Sequence, residues 1–359
     1  MKEKGGHVVL LSGGPPIALK VLYCLHRLGI KTHLVDLQGT SITRFSRYLN
    51  GYDRLQPAYG AGDGERLAAA LNRINAGHKV LAAVPSDVAS AAALYEAKPF
   101  LNDIAAFPVS SPHTLDMLDD KWRFQQFLDG NGISAPRSTL ISGLGDLEAL
   151  ASKGISFPVV LKSLHGESGH GVFVAKTRGD AEHYLQSGSR HARLPVQLQE
   201  FTPGLDADLS ILCMDGEVKA EVLQIRRDGY ILEFAQNDFA TDIGRRIASA
   251  ANFSGVANID LRIDEKTGMA TVIECNPRFW YTLQASMWRG LNFVGLGLEL
   301  ARGESVSAPG GPTNSLYYLH GGLLRNVLWN PARWNTVSVC NMHGLLQALT
   351  DPMPFIRSA

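Results

Sequence analysis

Apolar positions follow two different rhythms along this chain. Over the first hundred residues, short unbroken apolar runs alternate with longer segments of helical spacing. "HVVLLS" (7–12), "KTHLVD" (31–36) and "KVLAAVPS" (79–86) are short and end abruptly, as buried strands do. Between them, "IALKVLYCLHRLG" is opened by Pro15-Pro16 and closed by Gly29, the placement that suits a helix. "GERLAAALNRINAG" and "DVASAAALYEA" predict two more helices. Strand–helix alternation implies a parallel sheet in an α/β domain, expected to end near "FPVSSPHT" (107–114). A helix is predicted over 114–132. From "FPVVLKS" (157–163) onward the rhythm changes to strands joined by turns, with intervening helices. The expected fold class is therefore α/β plus α+β, the second part mostly antiparallel. The last fifty or so residues carry no pattern that names an element.

The cleanest alternation is "GVANIDLRIDEKTGMATVIECN" (255–276). Ile259, Leu261 and Ile263 share one face; Asn258, Asp260 and Arg262 share the other. "KTG" closes a three-residue hairpin loop with Gly268 in the left-handed position. Pairing Asp264 with Ala270 then sets Asp260 opposite Glu274, with Asn276 on that face and Ile273 and Cys275 on the other. Like charges directly paired are destabilising, so something must neutralise them. Two readings are open: an all-oxygen cation site suited to Mg²⁺, or a solvated polar face with Arg262 as partner.

Two further stretches stand out. In "FPVVLKSLHGESGHGVFVAKT" (157–177), Lys162 ends an apolar strand, and a loop with Gly166, Gly169 and Gly171 leads into the strand "VFVA". Such a loop either cradles an anion through its N–H groups or is a flexible turn; GxxxxGK[ST] is absent. In "VQLQEFTPGLDADLSILC" (196–213), a strand reaches Gln199-Glu200-Phe201, turns at Pro203-Gly204, and resumes with Asp206 and Asp208.

Composition narrows the classes. The 359 residues exceed one ordinary core and imply two or three domains. Zero formal net charge without a basic stripe argues against nucleic acid. Four scattered cysteines without CxxC fit a reducing cytoplasm better than zinc or disulfides. No apolar stretch is long enough to span a membrane, and Gly and Pro interrupt the N-terminal run too early for a signal peptide. A dinucleotide fold is imitated by "LLSGGPP…VD", with Asp36 placed as a ribose acid, but G-x-G-x-x-G is missing.

Taken together and in this order, the Lys162 strand, the glycine loop, Gln199-Glu200-Phe201, and E-x-N-P-R after an alternating strand with an upstream acid resemble the ATP-grasp superfamily over roughly residues 7–305. That superfamily includes carboxylate–amine ligases such as D-alanine–D-alanine ligase, and the biotin carboxylase and carbamoyl-phosphate synthetase modules. The resemblance implies a division into an N-terminal pre-ATP-grasp domain (1–112), an N-subdomain (113–200), a C-subdomain (201–305) and an extension of unknown role (306–359). It implies ATP and Mg²⁺, with Mn²⁺ as an alternative. It implies that Lys121 and Lys162 contact phosphate, and that the loop with His165, Gly166, Ser168, Gly169 and Gly171 covers it. Gln199, Glu200 and Phe201 would form the adenine hinge, Asp206 would hold ribose, and Asp260, Glu274 and Asn276 would bind metal. Arg278 would stand beside the transferring phosphate and acyl intermediate. Asp260 and Asp206 depart from a family habit of Glu.

The implied activity joins a small-molecule carboxylic acid, activated as an acyl phosphate, to an amine, with no nucleic acid or membrane partner and a homodimer as the assembly that resemblance allows. Alternatives are a carboxyphosphate-forming step on bicarbonate, or a non-catalytic ATP-binding protein. Several residues keep two readings here. His165 and His170 are phosphate contacts or exposed loop residues. Trp280, Tyr281 and Trp288 line a pocket or pack the core. Arg226 and Arg227 reach phosphate or substrate carboxylate, or are surface charge. Ser12–Pro16 is a turn or a cleft wall.

Overall fold

The computed structural model describes residues 6–14, 16–164, 171–228, 230–306, 315–319, 323 and 339–356. Strands β1 (His7–Ser12), β2 (Lys31–Asp36), β3 (Gly51–Arg54), β4 (Val80–Pro85) and β5 (Ala105–Ala106) form a parallel sheet in the order β3-β2-β1-β4-β5. Val8, Val9, Leu10 and Leu11 of central β1 are wholly buried, as a strand covered on both faces requires. Helices Ile17–Arg27, Gly64–Gly77 and Val88–Ala97 connect these strands, so the predicted α/β alternation is observed. The edge strands β3 and β5 went unpredicted: at four and two residues they are too short for a periodicity to show.

The remaining strands build two antiparallel sheets. β6 (Ser138–Ile141), β7 (Val159–Ser163), β8 (Val172–Ala175) and β9 (Val196–Glu200) lie in the order β6-β9-β7-β8. Val159, Leu161, Val196 and Leu198 turn one face of this sheet onto its own small core. β10 (Leu205–Met214), β11 (Glu217–Asp228), β12 (Ile231–Ala235), β13 (Gly255–Ile263), β14 (Ala270–Asn276) and β15 (Ser315–Tyr318) lie in the order β14-β13-β10-β11-β12-β15. Leu209, Ile211, Ile259 and Leu261 pack one face onto a core shared with Ile243 and Ile247 of helix Asp238–Ala250. The α/β plus α+β class is thus observed.

Three local differences from expectation have physical causes. The helix expected over 114–132 is two helices, Pro112–Asp119 and Lys121–Gly130. Asp120 leaves the helical conformation and caps the second, accepting from the N–H groups of Trp122 and Arg123 at 3.0 and 2.8 Å. The β13–β14 hairpin closes with Ile263, not Asp264, opposite Ala270. A bulge between Asp260 and Leu261 absorbs the one-residue shift, so Asp260 still faces Glu274. The same bulge brings Ile273 to the cleft wall, while Cys275 is in the core as expected.

Beyond residue 306, β15 completes the edge of the six-stranded sheet, and helices Val339–Thr350 and Met353–Ile356 return to the parallel sheet. There the buried Asp351 carboxylate accepts from Tyr23 Oη at 3.0 Å, Ser46 Oγ at 2.6 Å and the Arg47 N–H at 2.9 Å. Among the described residues no helix is long and apolar enough to cross a membrane.

Candidate active site

Antiparallel pairing sets side chains in rows across the six-stranded sheet. Asp260 is opposite Glu274 on one side and Asp208 on the other, and Asp208 is opposite Gln224. The row therefore reads Glu274, Asp260, Asp208, Gln224. The adjoining row reads Asn276, Asn258, Ser210. With neighbouring strands about 4.8 Å apart, three carboxylates occupy one line. The second row braces the first: Ser210 Oγ donates to Asn258 Oδ1 at 2.8 Å, and Asn258 Nδ2 donates to Asp260 Oδ1 at 3.0 Å.

The electrostatics follow from this crowding. Burial, and then the Asp208 and Glu274 charges, push the Asp260 carboxyl well above its ordinary range. Burial also raises Asp208, although Arg226 at 3.3 Å opposes it. Burial acts to raise Glu274, but the charges of Lys121 and Lys162 outweigh it and hold that carboxyl low. Lys121 Nζ lies 3.5 Å from Glu274 Oε2. Asp208 went unassigned in the sequence. Its signal was the alternation Asp206–Asp208, but only the β10–β13 pairing shows which strand it faces.

The second lysine comes from the other antiparallel sheet. Val159 and Leu161 face the core, so Lys162 faces the opposite way, where it is 4% exposed. Its Nζ donates to Gln199 Oε1 at 2.7 Å. Burial drops its pKa to about 8, with Glu274 pulling it back up. Gln199 thus serves the lysine through its side chain. The N–H groups of Glu200 and Phe201 donate to Arg137 and Pro158 carbonyls at 2.8 and 3.1 Å, so the segment expected as a hinge is braced from behind. Gly171 immediately precedes β8 with φ +84, and its carbonyl accepts from the Ser163 N–H at 3.2 Å. A side chain there would strike Ser163 and His191. His165, Gly166, Ser168, Gly169 and His170 lie outside the described residues.

The acid row opens onto a cleft of about 550 Å³, lined by Asp206, Asp208, Asp260, Glu274, Asn276 and Arg278, among others, and Lys121 approaches it through Glu274. Asp206 is at its rim, paired with Arg262 Nη2 at 3.0 Å. Buried Arg278 donates to Asn276 Oδ1 at 3.1 Å and to the Phe279 carbonyl at 3.0 Å. Trp280 is both wall and core: it lines the cleft and packs edge-on against Phe293. Its indole N–H is buried with no hydrogen-bond partner among the described residues. Tyr281 is a half-exposed wall residue, whereas Trp288 stacks with Arg27 and His343 outside the cleft lining. Arg226 lines the cleft; Arg227 instead pairs with Glu233.

Two stretches near the N-terminus take the structural side of their readings. Gly13 N–H donates to Asp87 Oδ2 at 2.8 Å, fixing the turn after β1, and none of residues 12–14 and 16 lines the cleft. Asp36 accepts from the N–H groups of Gly39 and Ser41 at 2.8 and 2.9 Å, so its carboxylate shapes a turn and is no ribose acid. Among the described residues no three His, Cys, Asp or Glu side chains are arranged to hold a metal ion. The candidate set differs in kind: two carboxylates and an amide, with Asp208 behind them.

Two family profiles match overlapping parts of this region, a RimK-like ATP-grasp domain over residues 118–248 and an "ATP-grasp in the biosynthetic pathway with Ter operon" over 195–319. Together they match residues 118–319 to ATP-grasp domains. The chain is 26% identical over 187 residues to a probable alpha-L-glutamate ligase of Aliivibrio fischeri, covering 48% of this chain and 61% of that one. It is 24% identical over 216 residues to the carbamoyl phosphate synthase arginine-specific large chain of Bacillus subtilis, covering 55% of this chain and 20% of that one. The match thus spans less than two thirds of either relative. In fold it resembles the biotin carboxylase domain dimer of Hydrogenobacter thermophilus 2-oxoglutarate carboxylase, solved with MgADP and bicarbonate (TM-score 0.64, 16% identity, 88% of this chain and 74% of that one). It also resembles an L-amino acid ligase of Bacillus licheniformis (TM-score 0.61, 17% identity, 86% and 76%).

Proposed function

We propose that this protein is an ATP-dependent ligase that activates a small-molecule carboxylate and joins it to an amine, releasing ADP and phosphate. The observation that carries the reading is a row of three carboxylates on the wall of one cleft, with Lys121 3.5 Å from Glu274 and the charge of Lys162 acting on the same carboxylate. Phosphoryl transfer asks mainly for charge neutralisation and positioning, and these residues offer both. Lys121 and Lys162 are the phosphate contacts. The loop 165–171 covers the phosphates, and Gln199, Glu200 and Phe201 flank adenine, with Asp206 toward ribose. Asp260, Glu274 and Asn276 would hold Mg²⁺ or Mn²⁺. Crowded carboxylates with Asp260 pushed toward protonation fit a cation. Once bound, it would neutralise phosphate charge as a Lewis acid. Arg278, facing the cleft beside Asn276, orients the substrate carboxylate, for which its planar fork is suited.

The domain division at 112, 200 and 305 belongs to the same proposal, as does a homodimer, supported by the dimeric biotin carboxylase domain among the fold relatives. The names of the glutamate and L-amino acid ligases favour an amino acid or peptide product. The test is ADP release from MgATP across a panel of carboxylic acids with a mixed amine pool, products read by mass spectrometry. The expected result is ADP release that needs both an acid and an amine, with an amide product. Release with bicarbonate alone, or ATP binding without any release, would overturn it.

A further inference from the structure

Beside the cleft lies a smaller cavity of about 150 Å³, lined by Lys20, Tyr281, Thr282, Gln284, Ala285, Tyr317 and Leu319. Tyr281, Thr282 and Leu319 also line the cleft itself, so the two spaces adjoin. Lys20 projects from helix Ile17–Arg27, in which Ile17, Ala18, Leu19, Val21 and Leu22 are all buried. Among the described residues no carboxylate lies within ion-pairing distance of it. A partly buried lysine without a partner is unusual, because desolvation of an ammonium is costly.

The neighbours offer neutral oxygens only: Thr282 Oγ1, which donates to Gln224 Oε1 at 2.7 Å, and the amide of Gln284, whose Nε2 donates to Gln347 Oε1 at 2.9 Å. Burial lowers the Lys20 pKa, the direction expected of an ammonium lacking an anion. The volume is informative too. A cavity near 150 Å³ admits a six-carbon ring, so this one has room for a carboxylate on a short stem.

We infer that Lys20 binds a second carboxylate of the substrate, one that does not react, so that the ligase takes a dicarboxylic acid or an amine bearing a free carboxylate. Lys20 is then a specificity residue: it holds the remote end while the reacting end lies among Arg278, Asn276 and the acid row. This inference rests on the ligase reading for its kinetic arm only.

Two measurements test it. In the first, ADP release is compared for succinate against succinamate, and for L-alanine against L-alaninamide as the amine. The wild type should favour the charged member of at least one pair by tenfold or more in kcat/KM. Lys20→Met should shrink that preference to within threefold, through KM. A preference that survives the substitution, or none in the wild type, overturns the inference. The second needs no turnover: Lys20 is reductively methylated in the nucleotide-free protein, with peptide mass spectrometry as readout. Succinate or L-alanine should slow Lys20 labelling at least threefold, while succinamate and L-alaninamide should not. Equal labelling under all four overturns the inference. If no acid releases ADP yet protection is seen, the ligase reading fails and the anion site stands.

Discussion

Asp36 and Asp260 are both aspartates enclosed by the fold, and they sit in opposite circumstances. Asp36 ends a parallel strand and receives backbone N–H groups on both oxygens. Asp260 lies mid-strand in an antiparallel sheet and has a carboxylate on either side. The first is a structural acid: its charge is solvated by the chain itself. The second is held against like charge, about 3 kcal/mol per neighbour at 5 Å for an effective dielectric near 20. Such an arrangement is relieved by protonation of Asp260 or by a bound cation. Satisfaction of the carboxylate, more than its burial, separates scaffold from site.

Substitutions at the two places should therefore differ in kind. Glu274→Gln is expected to lower ADP release by about a thousandfold with the fold intact, since in the proposed reaction it removes preorganised charge at the reacting phosphate. Steady-state ADP assays with circular dichroism check this; turnover within tenfold of wild type would remove Glu274 from the site. Asp36→Ala should behave oppositely. It strands the Gly39 and Ser41 N–H groups and is expected to cost about 3 kcal/mol in urea unfolding, with kcat changed little in the folded fraction.

Lys162→Met is expected to weaken nucleotide binding by about thirtyfold, the size of one lost charged hydrogen bond. Equilibrium dialysis with ADP checks it. The smallest effect is a proton count. Lys162 titrates near 8 in the free protein, far below its ordinary value, because it is buried. A bound phosphate favours the charged form, so nucleotide binding at about pH 9 should take up a proton, and at about pH 6.5 should not. Affinity accordingly falls as pH rises through 8. Calorimetry in two buffers of different ionisation enthalpy measures the uptake, and Lys162→Met should abolish it.

Much of the site was legible in the sequence because alternation in "NIDLRI" and "TVIECN" fixes which side chains share a face. The Asp260–Glu274 pairing survived a hairpin register that was one residue off, because the bulge at Ile273 cancelled the slip. What stayed hidden needed topology. Asp208 joins the acid row only because β10 lies beside β13, a neighbour some fifty residues along the chain. The break at Asp120 was readable in principle as a capping acid inside an apolar pattern, but the helical period on both sides masked it. Lys20 gave no signal at all: its cavity is closed by residues from the far end of the chain.

On the proposed function, Asp260 is held against like charge for the sake of a cation. Urea unfolding of Asp260→Asn, at neutral pH and without metal or nucleotide, tests it most directly. The variant is expected to be about 1–3 kcal/mol more stable than the wild type, because the amide relieves the crowded acid row. Mg²⁺ with ADP is expected to narrow the gap by stabilising the wild type alone. A variant less stable than the wild type, with Mg²⁺ and ADP affecting both proteins equally, would contradict it.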